Sequence, residues 1–225
     1  MLKKATLLSL CMAVSAVLGA DEKVTKRIDE STAVLKTIIN KQGIPQSILA
    51  KAVCVLIYPG VKKVGVGIGV TYGRGLLACH SGKDMTGKWT APAMYTLDTG
   101  SLGAQLGSTS TDYLALVMTQ RAADKILSGK LKLGADASAV AGPSGAKAVG
   151  FNDPNVDVLT YSQAKGLFAG ATIGSASMSS DDDANKDLYG KSIDALQIIR
   201  DGAVPVPAPA ANLIALLNKT APKRL

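Results

Sequence analysis

The stretch "KVGVGIGVTYGRG", Lys63 to Gly75, holds five glycines in thirteen residues, and its reading decides the fold. As a loop it would cradle a phosphate; as a strand it builds a wall. Val64, Val66, Ile68, Val70 and Tyr72 take the even positions, while Gly65, Gly67, Gly69, Gly73 and Gly75 take the odd ones. A period of two gives an extended strand one branched, apolar face and one nearly bare face. The dinucleotide pattern G-x-G-x-x-G and the phosphate-loop pattern G-x-x-x-x-G-K-[ST] are both missing, and no helix-like segment follows Gly75. Glycine inside a strand costs stability, so a glycine face implies that another backbone or surface approaches closely.

Working outward, β-like runs fill the chain from Ala52 to Asp157: "AVCVLIY", "GLLACH", "PAMYTLD", "SLGAQLG" and "YLALVMT", separated by glycine, proline or polar clusters. Most connections are too short for helical crossovers, which predicts an antiparallel or mixed sheet. "RAADKILSG" predicts a helix stopped by Gly129. Beyond it, "LKLGADASAVAG", "VDVLTYS" and "KGLFAGATIG" are strand-like, and "SSDDDANKDLYG" and "SIDALQIIRDG" predict helices, the first with an acidic cap. On the other side, Val24, Ile28, Leu35, Ile38 and Ile39 recur at mostly helical spacing and predict an amphipathic helix over 24–40, closed by Gly43 and Pro45.

The expected fold class is α+β: a strand-rich antiparallel or mixed sheet, curved or barrel-like, with helices at the N- and C-terminal ends. Residues 21–203 form one domain in this reading. Residues 204–225 form a proline-rich linker, with Pro205, Pro207 and Pro209, and a short C-terminal helix.

Lys3 and Lys4, sixteen uncharged residues from Ala5 to Ala20, and then Asp21 have the layout of an export signal. As a helix this run reaches only about 24 Å, short of a bilayer core of about 30 Å. Cleavage after Ala20 is expected, with Ala16 as the alternative, and Leu10 directly before Cys11 argues against lipoprotein processing. The expected location is therefore outside the cytoplasm, in a bacterial periplasm or envelope.

The formal charge of the chain is +8, and mean hydropathy is +0.22 with 47% hydrophobic residues, ample for a packed core. Removing residues 1–20 takes away two lysines and no acids, leaving 23 basic against 17 acidic residues and a charge of +6. Such a balance attracts anionic lipid, nucleic acid or polyanionic glycan. An exported protein meets membranes far more often than DNA, so a nucleic-acid partner is not expected. Cys54 and Cys79 both sit in apolar runs, which favours two buried thiols over a bridge, although an oxidising compartment permits either.

Constellations for catalysis are thin, and no enzyme activity, metal site or cofactor is expected. His80 is the only histidine; "GPSGA" around Ser144 is not a nucleophile elbow, and one histidine with two cysteines makes no zinc site. The acids of "SSDDDANKD" lack calcium-loop spacing and read as a helix-start cap, and "FNDPNVD" reads as a proline turn. Trp89 in "WTAPAMY" reads as a core residue.

Basic residues are more informative. Lys62 and Lys63 precede the glycine strand, Arg74 ends it, and Lys165 precedes a second glycine-rich segment with Gly166, Gly170 and Gly174. If these strands are neighbours, their ends converge on a lipid headgroup, with Lys23, Lys26 and Arg27 adding surface attraction. Each basic residue near an anionic membrane contributes about 1 kcal/mol.

Four motifs in order, "AKAVCVLIYPGVKKVGVGIGVTYGRGLL", "WTAPAMYTLDTGSLGAQLGSTSTDYLALVM", "LGADASAVAGP" and "YSQAKGLFAGATIGSASM", resemble the SYLF domain family, also called the Ysc84-like lipid-binding domain. The match runs from about Ile38 to Gly190. The resemblance implies phospholipid binding, including phosphoinositides in eukaryotic members, some of which also bind actin filaments. It also implies a basic surface and an amphipathic segment ahead of the core, where 24–40 lies. For an exported bacterial member the natural ligand is anionic bacterial phospholipid, bound without catalysis. The competing expectation is an envelope structural or protein-interaction domain whose basic face meets an acidic protein or glycan.

Overall fold

The computed structural model describes residues 21–129, 139–141, 156–165 and 177–222. The export-signal reading of residues 1–20, most of the "FNDPNVD" turn and the second glycine segment from Gly166 lie outside the described residues. In chain order the elements are α1 (Glu22–Gln42), α2 (Gln46–Leu49), β1 (Cys54–Cys79), β2 (Ala93–Val117), α3 (Gln120–Leu127), β3 (Ala139–Ala141), β4 (Val158–Lys165), β5 (Ser177–Ser180), α4 (Asp182–Tyr189), α5 (Ala195–Ile199), a 3-10 turn (Ala208–Ala210) and α6 (Ala211–Thr220).

What reads in sequence as six short runs folds as two long strands. β1 and β2 pair antiparallel from Cys54 opposite Val117 to Leu77 opposite Ala93. The apparent break at Pro59 and Gly60 is a bulge: register shifts between Tyr58 and Val61, Gly60 takes φ +58°, and its N–H donates to Asp112 Oδ1 at 2.7 Å. A second shift falls between Val66 and Ile68.

Fully extended, a strand of 26 residues would span roughly 85 Å. Instead the Cα atoms of Cys54 and Cys79 lie 3.9 Å apart, and a disulfide joins them. The ribbon therefore doubles back on itself, and the two cysteines are a bridge rather than the separate buried thiols that their apolar surroundings suggested. The glycines explain how the two halves meet. A Cβ on Gly73 would lie 2.8 Å from Val61 Cγ2, and one on Gly75 would lie 2.6 Å from Tyr58 Cδ1 and collide with the Ile57 carbonyl. At Gly73 and Gly75 the glycine face of the strand is a packing surface for its own other half.

The sheet runs β1-β2-β4-β3, with β5 also paired to β2; β3 is parallel to β4 and every other pairing is antiparallel. It is mixed and strongly curved, but it does not close: among the described residues β1 and β3 are its ends. Near the disulfide both faces are buried, which is why "AVCVLIY" and "YLALV" show no polar alternation. One face, with Cys54, Leu56, Tyr58, Leu77, Tyr95 and Val117, packs under α3 and α5. The other, with Val55, Ile57, Leu76, Met94, Leu114 and Tyr161, packs under α1, α4 and α6.

The proline-rich segment after Gly202 returns the chain to this second face. Leu213 and Leu217 of α6 are buried there, and Trp89 Nε1 donates to the Ala221 carbonyl at 2.7 Å. Trp89 is thus a core residue, as its sequence setting predicts.

Two outcomes follow for stability. Gly75→Ala should cost about 3 kcal/mol or more, because its Cβ has backbone to displace; Gly43→Ala, at φ +58° with open space around it, should cost about 1 kcal/mol. Urea unfolding of both variants checks the ranking. Burial also raises the Tyr58, Tyr95, Tyr113, Tyr161 and Tyr189 phenols above the ordinary 10.0. The unfolded chain then ionises first, so stability is intact below pH about 10 and falls as pH rises through the elevated folded values. Unfolding midpoints followed alongside phenolate absorbance would contradict this if they stayed flat into that alkaline range.

Candidate functional site

Sheet register places the sequence-derived basic residues. Lys62 lies opposite Ser110 on β2, and Ser110 lies opposite Lys165 on β4. One row across three strands therefore reads Lys62–Ser110–Lys165, its outer positions about 10 Å apart. At the other half of the ribbon, Arg74 lies opposite Thr96, and Thr96 opposite Ser179 on β5. Both rows pair a basic residue with hydroxyls, which can donate to phosphate oxygens.

These rows share a face. Arg74 is two residues from Leu76, position 165 four from Tyr161, and Ser110 four from Leu114, and those apolar residues all belong to the cluster under α1. Lys62, Arg74 and the Lys165 position thus continue the α1 side of the sheet. Lys63, next to Lys62, belongs to the opposite face and is half-buried. Of the four strand positions, three fall on this face, Lys62 and position 165 in one row and Arg74 in the other, and Lys63 falls on the opposite face.

Tyr72 was not singled out in sequence, yet it is 41% exposed on this same face, with the Arg74 guanidinium 5.6 Å from its ring centroid and Arg74 Nε donating to its hydroxyl. The even spacing of Tyr72 and Arg74 was the available signal. Nothing in the sequence could reveal Ser110, Thr96 or Ser179, because a register partner is known only once strands pair. The face is not purely basic: exposed Asp98 lies opposite Tyr72, and Asp112 lies buried beside the Lys62 row.

α1 crosses the same side. It starts at Asp21, whose side chain accepts from Lys23 N at 2.7 Å, and ends at Gly43 in the left-handed region. Near its end Gln42 Nε2 donates to the Ser162 carbonyl of β4 at 2.8 Å. Its apolar stripe, Val24, Ile28, Leu35 and Ile38, is buried against the sheet, so the amphipathic helix packs inward instead of offering these side chains to a bilayer.

Lys23 and Lys26 are exposed at the helix start, and Lys26 sits 4.0 Å from Glu30. Arg27 departs from the sequence expectation. It is 8% exposed and pairs with Asp181 at 2.7 Å, so it serves the interior and not the surface. Asp181 also caps α4, accepting from Ala184 N at 3.3 Å, which makes the "SSDDD" run the helix cap its spacing predicts.

His80, the one imidazole, is buried with its ring 4.0 Å from that of Trp89, and its Nδ1 donates to the Gly87 carbonyl at 2.7 Å. It fastens the connection between β1 and β2. Among the described residues no group of three or more histidines, cysteines or carboxylates could hold a metal ion, and no helix is long and apolar enough to cross a membrane.

Comparison with known proteins gives consistent findings. A family model, Ysc84, described as "Las17-binding protein actin regulator", matches residues 98–220, more than half of the chain. An SH3 domain-containing protein of Schizosaccharomyces pombe is 31% identical over 188 residues, which is 81% of this chain and 43% of that protein. LAS seventeen-binding protein 3 of Saccharomyces cerevisiae is 29% identical over 172 residues, 74% of this chain and 37% of its own. SH3 domain-containing YSC84-like protein 1 of Rattus norvegicus is 27% identical over 200 residues, 88% of this chain and 57% of its own. The chain spans less than two thirds of each of these relatives.

Removing the Arg27 side chain as Arg27→Ala should destabilise the fold by roughly 3 kcal/mol, since it strands the Asp181 carboxylate. Combining Arg27→Leu with Asp181→Asn, which removes both charges and keeps a side-chain oxygen for the α4 cap, should recover much of that loss. Urea midpoints of the single and double variants decide whether the pair is a structural tie.

Proposed function

The chain belongs to the Ysc84 family, also called the SYLF domain family, and from that membership we propose a non-catalytic domain that binds anionic phospholipid at a membrane surface. The observation that carries the proposal is the pair of cross-strand rows on the α1 side of the sheet: Lys62–Ser110–Lys165 and Arg74–Thr96–Ser179. Cations beside hydroxyls suit a phosphodiester, which offers charge and acceptor oxygens together. Lys23 and Lys26 add long-range attraction from the exposed start of α1. With the stripe of α1 buried, capture is electrostatic first, and apolar insertion is left to exposed residues such as Tyr72.

We place the domain outside the cytoplasm, periplasmic or envelope-associated in a bacterium. The Cys54–Cys79 disulfide supports an oxidising compartment. The second reading is a protein-interaction domain meeting an acidic envelope protein or glycan, and the relatives named for binding Las17 favour a protein partner.

Co-sedimentation with liposomes tests the proposal. Vesicles containing phosphatidylglycerol should pellet the protein and phosphatidylcholine vesicles should not. Changing Lys62, Arg74 and Lys165 together to glutamine should weaken binding by about a hundredfold, three contacts at roughly 1 kcal/mol each. Changing Lys63 alone should matter less. Absence of pelleting on every lipid sinks the membrane reading and promotes the protein partner.

A further inference from the structure

Met85 is the one described non-glycine residue with positive φ, +49°, and it is fully buried. Its Sδ lies 4.0 Å from Sγ of Cys54, and both cysteines of the disulfide are themselves fully buried. Left-handed backbone is uncommon for a residue with a side chain, and it persists where surroundings over-determine it. Those surroundings are visible. Within the loop, Met85 N donates to the Gly82 carbonyl at 3.1 Å, Gly87 N to Ser81 at 2.9 Å and Ser81 N to Lys88 at 2.8 Å.

The loop is also fastened from outside. Gln120 Nε2, from α3, donates to the Lys83 carbonyl at 2.6 Å, and Arg200 Nη1, from the end of α5, donates to the same oxygen at 3.2 Å. Arg200 in turn pairs with Asp124 of α3. His80 holds Gly87 from the end of β1. None of these contacts touches the basic face, so the loop's purpose is separate from the proposed lipid surface.

We propose that residues 81–88 form a strap that seats Met85 as a plug on the Cys54–Cys79 disulfide, so that a thiol reductant reaches it only when the strap opens locally. Reduction by a dithiol proceeds in two exchanges. A reagent thiolate attacks one protein sulfur, forming a mixed disulfide, and the other cysteine leaves as a thiolate and takes up a proton. The reagent's second thiolate then closes on its own sulfur, releasing the remaining cysteine, which is protonated likewise. Two electrons pass to the protein, and the reagent is left as its cyclic disulfide. The plug acts on the first exchange, by blocking approach.

The test follows reduction of the full, folded chain by dithiothreitol, trapped by alkylation and read by mass. Met85→Ala and Met85→Gly should be reduced faster by about tenfold or more, and Met85→Leu, which keeps the volume, within about twofold of the parent. Glycine relieves the backbone while removing the plug, so Met85→Gly should be reduced at least as fast as Met85→Ala while unfolding at a higher thermal midpoint than Met85→Ala, whereas a rate that merely tracked lost stability would order the two the other way. Ile214→Val, in the cluster on the other face, lowers global stability without touching the strap and should leave the rate in dilute urea unchanged. The proposal is overturned if Met85→Ala is reduced at the parent rate. It is equally overturned if the acceleration carries the steep urea dependence of global unfolding and is matched by Ile214→Val.

Discussion

Everything in this molecule depends on one close approach, the backbone of Gly75 against the carbonyl of Ile57. A two-stranded ribbon of this length is marginal alone, since it exposes apolar side chains on both faces. Doubling it over converts one face into an interior, and the conversion works only where Cβ atoms are missing. Gly73 and Gly75 supply that absence on one half, while Val61 and Tyr58 supply the bulk on the other. The disulfide then holds the two ends at the place where the ribbon returns, with His80 N donating to the Val53 carbonyl beside it at 2.9 Å.

The doubled ribbon has an inner face, which carries the disulfide, and an outer face, and helices cover parts of both. α3 and α5 cover the disulfide face, whereas α1, α4 and α6 cover the other, tied by Arg27 to Asp181 and by Trp89 to Ala221. α1 does not shield the whole of its side. Past its cover the sheet exposes Lys62, Tyr72 and Arg74, so the candidate binding surface is the part of the ribbon that the helices do not reach.

Much of this was legible in sequence. Period two in "KVGVGIGV" gives the strand, Gly43 and Gly129 stop their helices, and the acids before Ala184 cap α4. Strand continuity was not legible, because Pro59–Gly60 has the composition of a turn and only the Asp112 side chain, far along the chain, makes it a bulge. Arg27 shows the same limit. Its neighbours Lys23 and Lys26 are surface cations of the same helix, and nothing local distinguishes it; its partner lies 154 residues away. For the basic set, alternation could separate Lys62 from Lys63, but only pairing with Ser110 could join Lys62 to Lys165.

The hydrogen bond from Trp89 to Ala221 spans 132 residues and sets an order of events during synthesis. β1 and β2 are complete by Val117, but the indole N–H does not meet this acceptor until Ala221 has been made. Until α6 is in place, the apolar side chains that Leu213 and Leu217 cover stay open to water, the kind of surface that makes incomplete chains prone to associate. Docking of α6 is thereby the last step that completes this face, and the single tryptophan reports when it has happened.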